Sequence, residues 1–73
     1  MYVVEYKPTG EYLTEGYWKG IKSNLTMFLG EAHRFSALEL KLASKTILIN
    51  RKNYRVYKID RWGYRLNKKG VYG

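Results

Sequence analysis

The chain has no cysteine, and only one proline, one histidine and one aspartate among its 73 residues. Without cysteine there is neither a disulfide nor a thiolate metal site, and a reducing compartment, the cytoplasm, is the expectation. The longest apolar runs, such as Met27-Phe28-Leu29 and Ile47-Leu48-Ile49, are far too short to span a bilayer, and no charged-then-apolar leader pattern opens at Met1. No membrane partner is expected. The catalytic inventory is equally thin. His33 stands alone beside Arg34 and reads as a surface or capping histidine, Asp60 is the only aspartate, and the glutamates are scattered. Ser23, Ser36 and Ser44 lack the setting of an activated nucleophile, and the glycines form no phosphate-binding loop. The clustered carboxylates that a metal-dependent nuclease requires are absent. The expectation is a protein that is not an enzyme and needs no cofactor.

Acidic residues are scarce, six against fourteen Lys and Arg, and they are unevenly placed. Residues 1–40 hold four basic and five acidic residues, a net charge of −1. Residues 41–73 hold ten basic residues against Asp60 alone, a net +9. A near-neutral half beside a strongly basic one sets up a directional field that draws in polyanions. The length allows one domain, 1–73, with a thin core. Chains of this size bury only about 60% of their unfolded surface, so a homodimer would help.

Local signals predict an α+β fold. Tyr2 to Tyr6 is β-branched and aromatic and reads as a strand. Lys7-Pro8-Thr9-Gly10 is a turn, with Pro8 presetting φ and Gly10 supplying a positive φ at the exit. Residues 11–13 then return antiparallel, with Tyr17 and Trp18 as a continuation after the break at Thr14-Glu15-Gly16. Ile21, Leu25, Phe28 and Leu29 recur at helical spacing and admit a short helix over 21–29, ended by Gly30. Ser36-Ala37-Leu38-Glu39 matches a capping box, and Phe35 and Leu40 have the spacing of a hydrophobic staple. A main helix over 36–45 follows. It would bury a wide arc, with Leu38 and Leu42 on one face and Leu40, Ala43 and Ile47 on another, leaving Lys41 and Lys45 on the polar side.

Residues 46–69 carry eight of the fourteen Lys and Arg, interleaved with Tyr54, Tyr57, Trp62 and Tyr64. A basic antiparallel hairpin is expected here. A loop at residues 50–53 would set Ile49 against Tyr54 and Ile47 against Val56. A second turn at residues 60–63 would pair Ile59 with Tyr64 and Tyr57 with Leu66. Residues 67–73 read as a frayed basic tail.

Basic side chains interleaved with aromatics suit phosphates and base faces, so DNA or RNA is the expected partner. The candidate contacts are Arg51, Lys52, Arg55, Tyr57, Lys58, Arg61, Trp62, Tyr64 and Arg65, with Lys41 and Lys45 from the helix. Two geometries are open. In one, helices 21–29 and 36–45 form a helix-turn-helix, with Lys41, Ser44 and Lys45 toward a groove. In the other, Tyr57, Trp62 and Tyr64 stack on unpaired bases while Arg55, Arg61 and Arg65 hold phosphates. The rival expectation is a protein–protein module whose basic face docks on an acidic host protein, since Tyr, Trp and Arg also dominate protein interfaces.

Two resemblances point the same way. Trp18-Lys19-Gly20, Met27-Phe28-Leu29-Gly30, Ala43-Ser44-Lys45 and Tyr54-Arg55-Val56, across residues 17–60, resemble short bacteriophage helix-turn-helix proteins. Those place a hairpin before the helices and a YRV-like strand after them. Tyr2-Val3-Val4-Glu5-Tyr6, Thr9-Gly10-Glu11-Tyr12-Leu13, Trp18 and Ala32-His33-Arg34-Phe35-Ser36 with Glu39 are similar to a group of short phage and bacterial proteins built as hairpin, helix and closing strand. The resemblance implies a small phage or prophage accessory protein of the host cytoplasm, binding nucleic acid or disabling a host factor.

Overall fold

A computed structural model describes residues 1–60, apart from the side chain of Arg51. The fold is α+β: among the described residues, one α-helix lies on a four-stranded antiparallel sheet. β1 (Tyr2–Tyr6) and β2 (Glu11–Leu13) form the hairpin that Pro8 and Gly10 announce. Gly10 has φ +75°, and its N–H donates to the Tyr6 carbonyl at 2.9 Å to close the loop. β3 (Leu25–Thr26) pairs with β2, and β4 (Tyr54–Lys58) pairs with β1, in the order β3-β2-β1-β4.

β1 therefore finds its longest partner some fifty residues away. Tyr2 stands opposite Lys58, Val4 opposite Val56, and Tyr6 opposite Tyr54. Alternation along the strands sorts the sheet into two faces. Val4, Leu13, Tyr54 and Val56 point to the face that α1 (Ala37–Lys45) covers through Leu40 and Ala43, with Tyr17, Phe35 and Leu48 completing that cluster. Val3 and Tyr57 point the other way and pack with Ala32 and Ile59. The chain changes faces at residues 33–35. His33 N–H donates to the Leu13 carbonyl at 2.9 Å, and Phe35 and Tyr2 exchange backbone hydrogen bonds of 2.7 and 2.8 Å. These residues occupy the flank of β1 beyond the end of β2, and they seat Phe35, fully buried, directly before the helix.

Ser36 caps α1 as its sequence predicts, its hydroxyl accepting from Glu39 N–H at 3.1 Å. Phe35 and Leu40 share one core cluster, as a staple requires. Three expectations of secondary structure fail. Residues 21–29 are not helical: 3-10 turns Ile21–Ser23 and Leu29–Glu31 bracket β3. Here polar side chains compete with helix hydrogen bonds. Asn24 Nδ2 donates to the Gly20 carbonyl at 2.8 Å, and Thr26 Oγ1 accepts from Phe28 N–H at 3.1 Å. The apolar residues also serve different layers, with Ile21 and Leu25 against the helix-side cluster and Leu29 against the other.

Tyr17 and Trp18 likewise do not extend β2 but form a 3-10 turn, Tyr17–Lys19. Gly16 precedes it at φ +89°, and Asn24 Oδ1 lies 3.3 Å from where a Cβ would stand. An alanine there meets both strain and crowding.

The third failure is the hairpin over residues 46–59. After α1 the chain folds back on the helix end, Leu48 N–H donating to the Ala43 carbonyl at 2.8 Å. Leu48 is buried, whereas Ile49, expected opposite Tyr54, is 70% exposed. Residues 50–53 form a 3-10 turn, Arg51–Asn53, rather than a hairpin loop, and the ladder of β4 goes to β1. The helix, too, buries a narrower arc than expected, since Leu38 and Leu42 face outward. The turn at residues 60–63, the pairings to Tyr64 and Leu66, and the tail at 67–73 lie outside the described residues.

Candidate nucleic-acid interface

The side chains singled out from sequence fall on several surfaces. Lys41 and Lys45 are exposed on the outer side of α1. Ser44 does not join them toward a groove, because its hydroxyl donates to the Leu40 carbonyl at 2.7 Å. With residues 21–31 in 3-10 turns and a short strand, the expected helix-turn-helix does not form, and among the described residues α1 has no companion α-helix to set it in a groove.

Lys52 is exposed in the turn that enters β4, its N–H donating to Asn50 Oδ1 at 3.3 Å. Lys58 is exposed at the far end of the strand. Arg55 lies between them, half-buried, on the sheet face opposite α1. Tyr57 shares that face but is only 3% exposed, and its hydroxyl donates to Glu5 Oε1 at 3.5 Å. It belongs to the second core cluster and cannot stack on a base as the sequence suggested. The Arg51 side chain and Arg61, Trp62, Tyr64 and Arg65 lie outside the described residues. One residue joins the set unforeseen. Lys7 N–H donates to the Asn53 carbonyl at 2.8 Å, which brings Lys7 to the end of the sheet that carries Lys52. Only the long-range pairing of β1 with β4 could have shown it.

The electrostatics of the fold turn on where its carboxylates go. Glu39 Oε2 lies 2.8 Å from His33 Nε2 and accepts from the Tyr17 hydroxyl at 3.3 Å. A carboxylate oxygen that bears no proton can only accept, so Nε2 is the donor in this contact. His33 also packs edge-on against Phe35, at 4.7 Å between ring centroids, and 5.6 Å from the Tyr17 ring. Glu31 Oε1 accepts from Thr26 Oγ1 at 3.2 Å, and Glu5 takes the Tyr57 hydroxyl. Three of the five glutamates thus serve tyrosine, threonine and histidine inside the N-terminal half and its sheet. The side chains of Lys41, Lys45, Lys52 and Arg55 form no ion pair with them. The Arg55 Nε is itself buried and has no hydrogen-bond partner among the described residues.

Sequence reasoning placed His33 at the surface or at a cap and missed this network. The capping-box spacing was the nearest signal, and the structure honours half of it. Glu39 N–H meets Ser36, while the Glu39 carboxylate turns to His33 and Tyr17. Burial raises the Tyr17 hydroxyl above the ordinary tyrosine value of 10.0, and the charge and hydrogen bond of Glu39 push the same way. Tyr54 is raised too, by burial first and then by Tyr6, whose ring centroid lies 5.7 Å away.

Among the described residues no three His, Cys, Asp or Glu side chains gather as metal ligands, and no helix is long and apolar enough to cross a membrane. No protein-family model, curated protein or solved structure matches the chain.

Proposed function

We propose that this protein binds DNA or RNA through the basic residues between positions 51 and 65. One observation carries the reading: the two halves of the charge distribution do not cancel. Three of the five glutamates of the first half, Glu5, Glu31 and Glu39, are occupied by Tyr57, Thr26, His33 and Tyr17, while Lys52 and Arg55 hold no carboxylate among the described residues. Cations without internal counter-ions are available to phosphates, and each phosphate neutralised releases condensed counter-ions.

The contacts are Lys52, Arg55 and Lys58, continued along the sequence by Arg61 and Arg65, with Arg51 at the entry to β4. With the helix-turn-helix gone and Tyr57 in the core, the mode is backbone-directed. Trp62 and Tyr64 supply the stacking, and sequence selectivity is low. Changing Arg55, Arg61 and Arg65 together to alanine is the test. Binding to every nucleic-acid sequence should weaken alike, and its salt dependence should flatten. An unchanged affinity in a folded triple variant removes the assignment.

A further inference from the structure

The outer face of α1 has no role in that reading, and its composition is unusual. The helix turns Leu40 and Ala43 into the core and Glu39 toward His33. Leu38, Lys41, Leu42 and Lys45 remain outside, at spacing i, i+3, i+4 and i+7. At 3.6 residues per turn these four fall within about 100° of arc, with the lysines along one edge and the leucines along the other. Leu38 is 68% exposed and Leu42 58%. A solvent-facing helix stripe is ordinarily polar throughout, whereas half of this one is leucine. It bears no acid, and neither lysine has an ion-pair partner among the described residues.

We propose that this stripe is a docking surface for an acidic amphipathic helix of another protein. That helix would present an apolar seam to Leu38 and Leu42 and carboxylates to Lys41 and Lys45. Charge complementarity and the leucines together select this occupant. Nucleic acid would satisfy the lysines but leave both leucines against phosphate or water. A second copy packed isologously would set Lys41 and Lys45 against lysines of the same stripe, on chains that each carry +8. A lipid surface calls for a long, continuous apolar face, and α1 has nine residues and two exposed leucines. A helix seam offers what the stripe needs, anchors at i and i+4 beside charges of opposite sign. The inference stands apart from the nucleic-acid reading, whose contacts do not include Lys41 and Lys45.

The test uses the full chain with carbon-13-labelled leucine methyls. The probes are a synthetic helical peptide with a leucine seam edged by glutamates, the same peptide edged by lysines, duplex DNA, and vesicles containing phosphatidylglycerol. The glutamate-edged peptide should shift the methyl signals of Leu38 and Leu42 and leave those of buried Leu13 and Leu40 in place. Leu38→Asn with Leu42→Asn, both at exposed positions, should weaken that binding by about tenfold or more. Should that variant fail to fold, Lys41→Glu with Lys45→Glu supplies the second arm, since it should transfer preference to the lysine-edged peptide. The proposal is overturned if the glutamate-edged peptide leaves Leu38 and Leu42 unmoved, or if the lysine-edged peptide moves them equally. It is also overturned if only DNA, vesicles or rising protein concentration moves them, or if the folded variants bind as the parent does.

Discussion

Glu5 and Arg55 stand directly opposite one another on β1 and β4, and they form no ion pair. The Glu5 carboxylate takes the Tyr57 hydroxyl at 3.5 Å, and the buried Arg55 Nε has no acceptor among the described residues. A buried donor without a partner costs about 1–3 kcal/mol, whereas an apolar group of similar shape carries no such penalty. Arg55→Met, which keeps the length of the stem, is therefore expected to hold or raise stability, by up to about 1 kcal/mol in urea unfolding. The same change should weaken nucleic-acid binding. Opposite signs for stability and affinity would mark Arg55 as a binding residue rather than a structural one. A loss of stability would mean that its guanidinium is satisfied in solution.

The neighbouring pair Leu48 and Ile49 separates the observed fold from the hairpin that residues 46–59 suggest. Leu48 is buried in the helix-side cluster and Ile49 is 70% exposed. Leu48→Ala should cost about 2–5 kcal/mol. Ile49→Ser should stay within about 0.5 kcal/mol. A strand pairing that set Ile49 against Tyr54 would make Ile49→Ser costly, and urea melts of the two variants decide the matter.

Loss of the Ser36 cap is expected to be felt across the whole fold. The hydroxyl holds Glu39 N–H, and Glu39 in turn holds His33 and Tyr17. Ser36→Ala should cost about 1 kcal/mol, seen as a lower urea midpoint with an unchanged slope. Ser23→Ala, at an exposed turn position, serves as the control and should cost almost nothing.

Alkaline pH acts through the tyrosines. Tyr17 and Tyr54 both titrate above the ordinary value of 10.0, chiefly through burial. A group whose proton is held more tightly in the folded state stabilises that state fully below its unfolded value. The contribution is lost as pH rises through the folded value. Stability should therefore be flat with respect to these two groups at neutral pH and fall above pH 10. Tyr17→Phe and Tyr54→Phe should each make the fall shallower. Thermal melts between pH 8 and 11.5 measure it, and an equally steep fall in both variants would assign the loss to other groups.

Local chemistry was legible in the sequence. Ser36 and Glu39 mark the helix start, Phe35 and Leu40 mark the staple, and Pro8 with Gly10 marks the first hairpin. Each rests on residues within a few positions of one another. What the sequence hid is non-local. β4 resembles the return strand of a local hairpin, yet its partner is β1, and nothing in Tyr54 to Lys58 specifies Tyr2 to Tyr6 over Ile47 and Ile49. Once β1 takes it, Tyr57 becomes core, Ile49 is released to solvent and Lys7 arrives beside the turn before β4. The spacing of Ile21, Leu25 and Leu29 suits a helix equally well as a chain that crosses from one face of the sheet to the other. Asn24 and Thr26 settle it through hydrogen bonds that spacing does not encode. For the candidate interface, composition showed the basic character. The pairing of three glutamates with tyrosine, threonine and histidine, which leaves Lys52 and Arg55 without a carboxylate among the described residues, came only with the fold.

The central claim is that those cations meet phosphates, and salt dependence tests it most directly. The purified protein would be titrated against labelled single- and double-stranded DNA and RNA at two salt concentrations. With about four to six phosphates neutralised on duplex DNA, log affinity should fall against log salt with a slope near −4 to −5. The preferred strand type would then show whether Trp62 and Tyr64 stack on unpaired bases. Absence of binding at the lower salt concentration would contradict the account and leave the basic half to a protein partner.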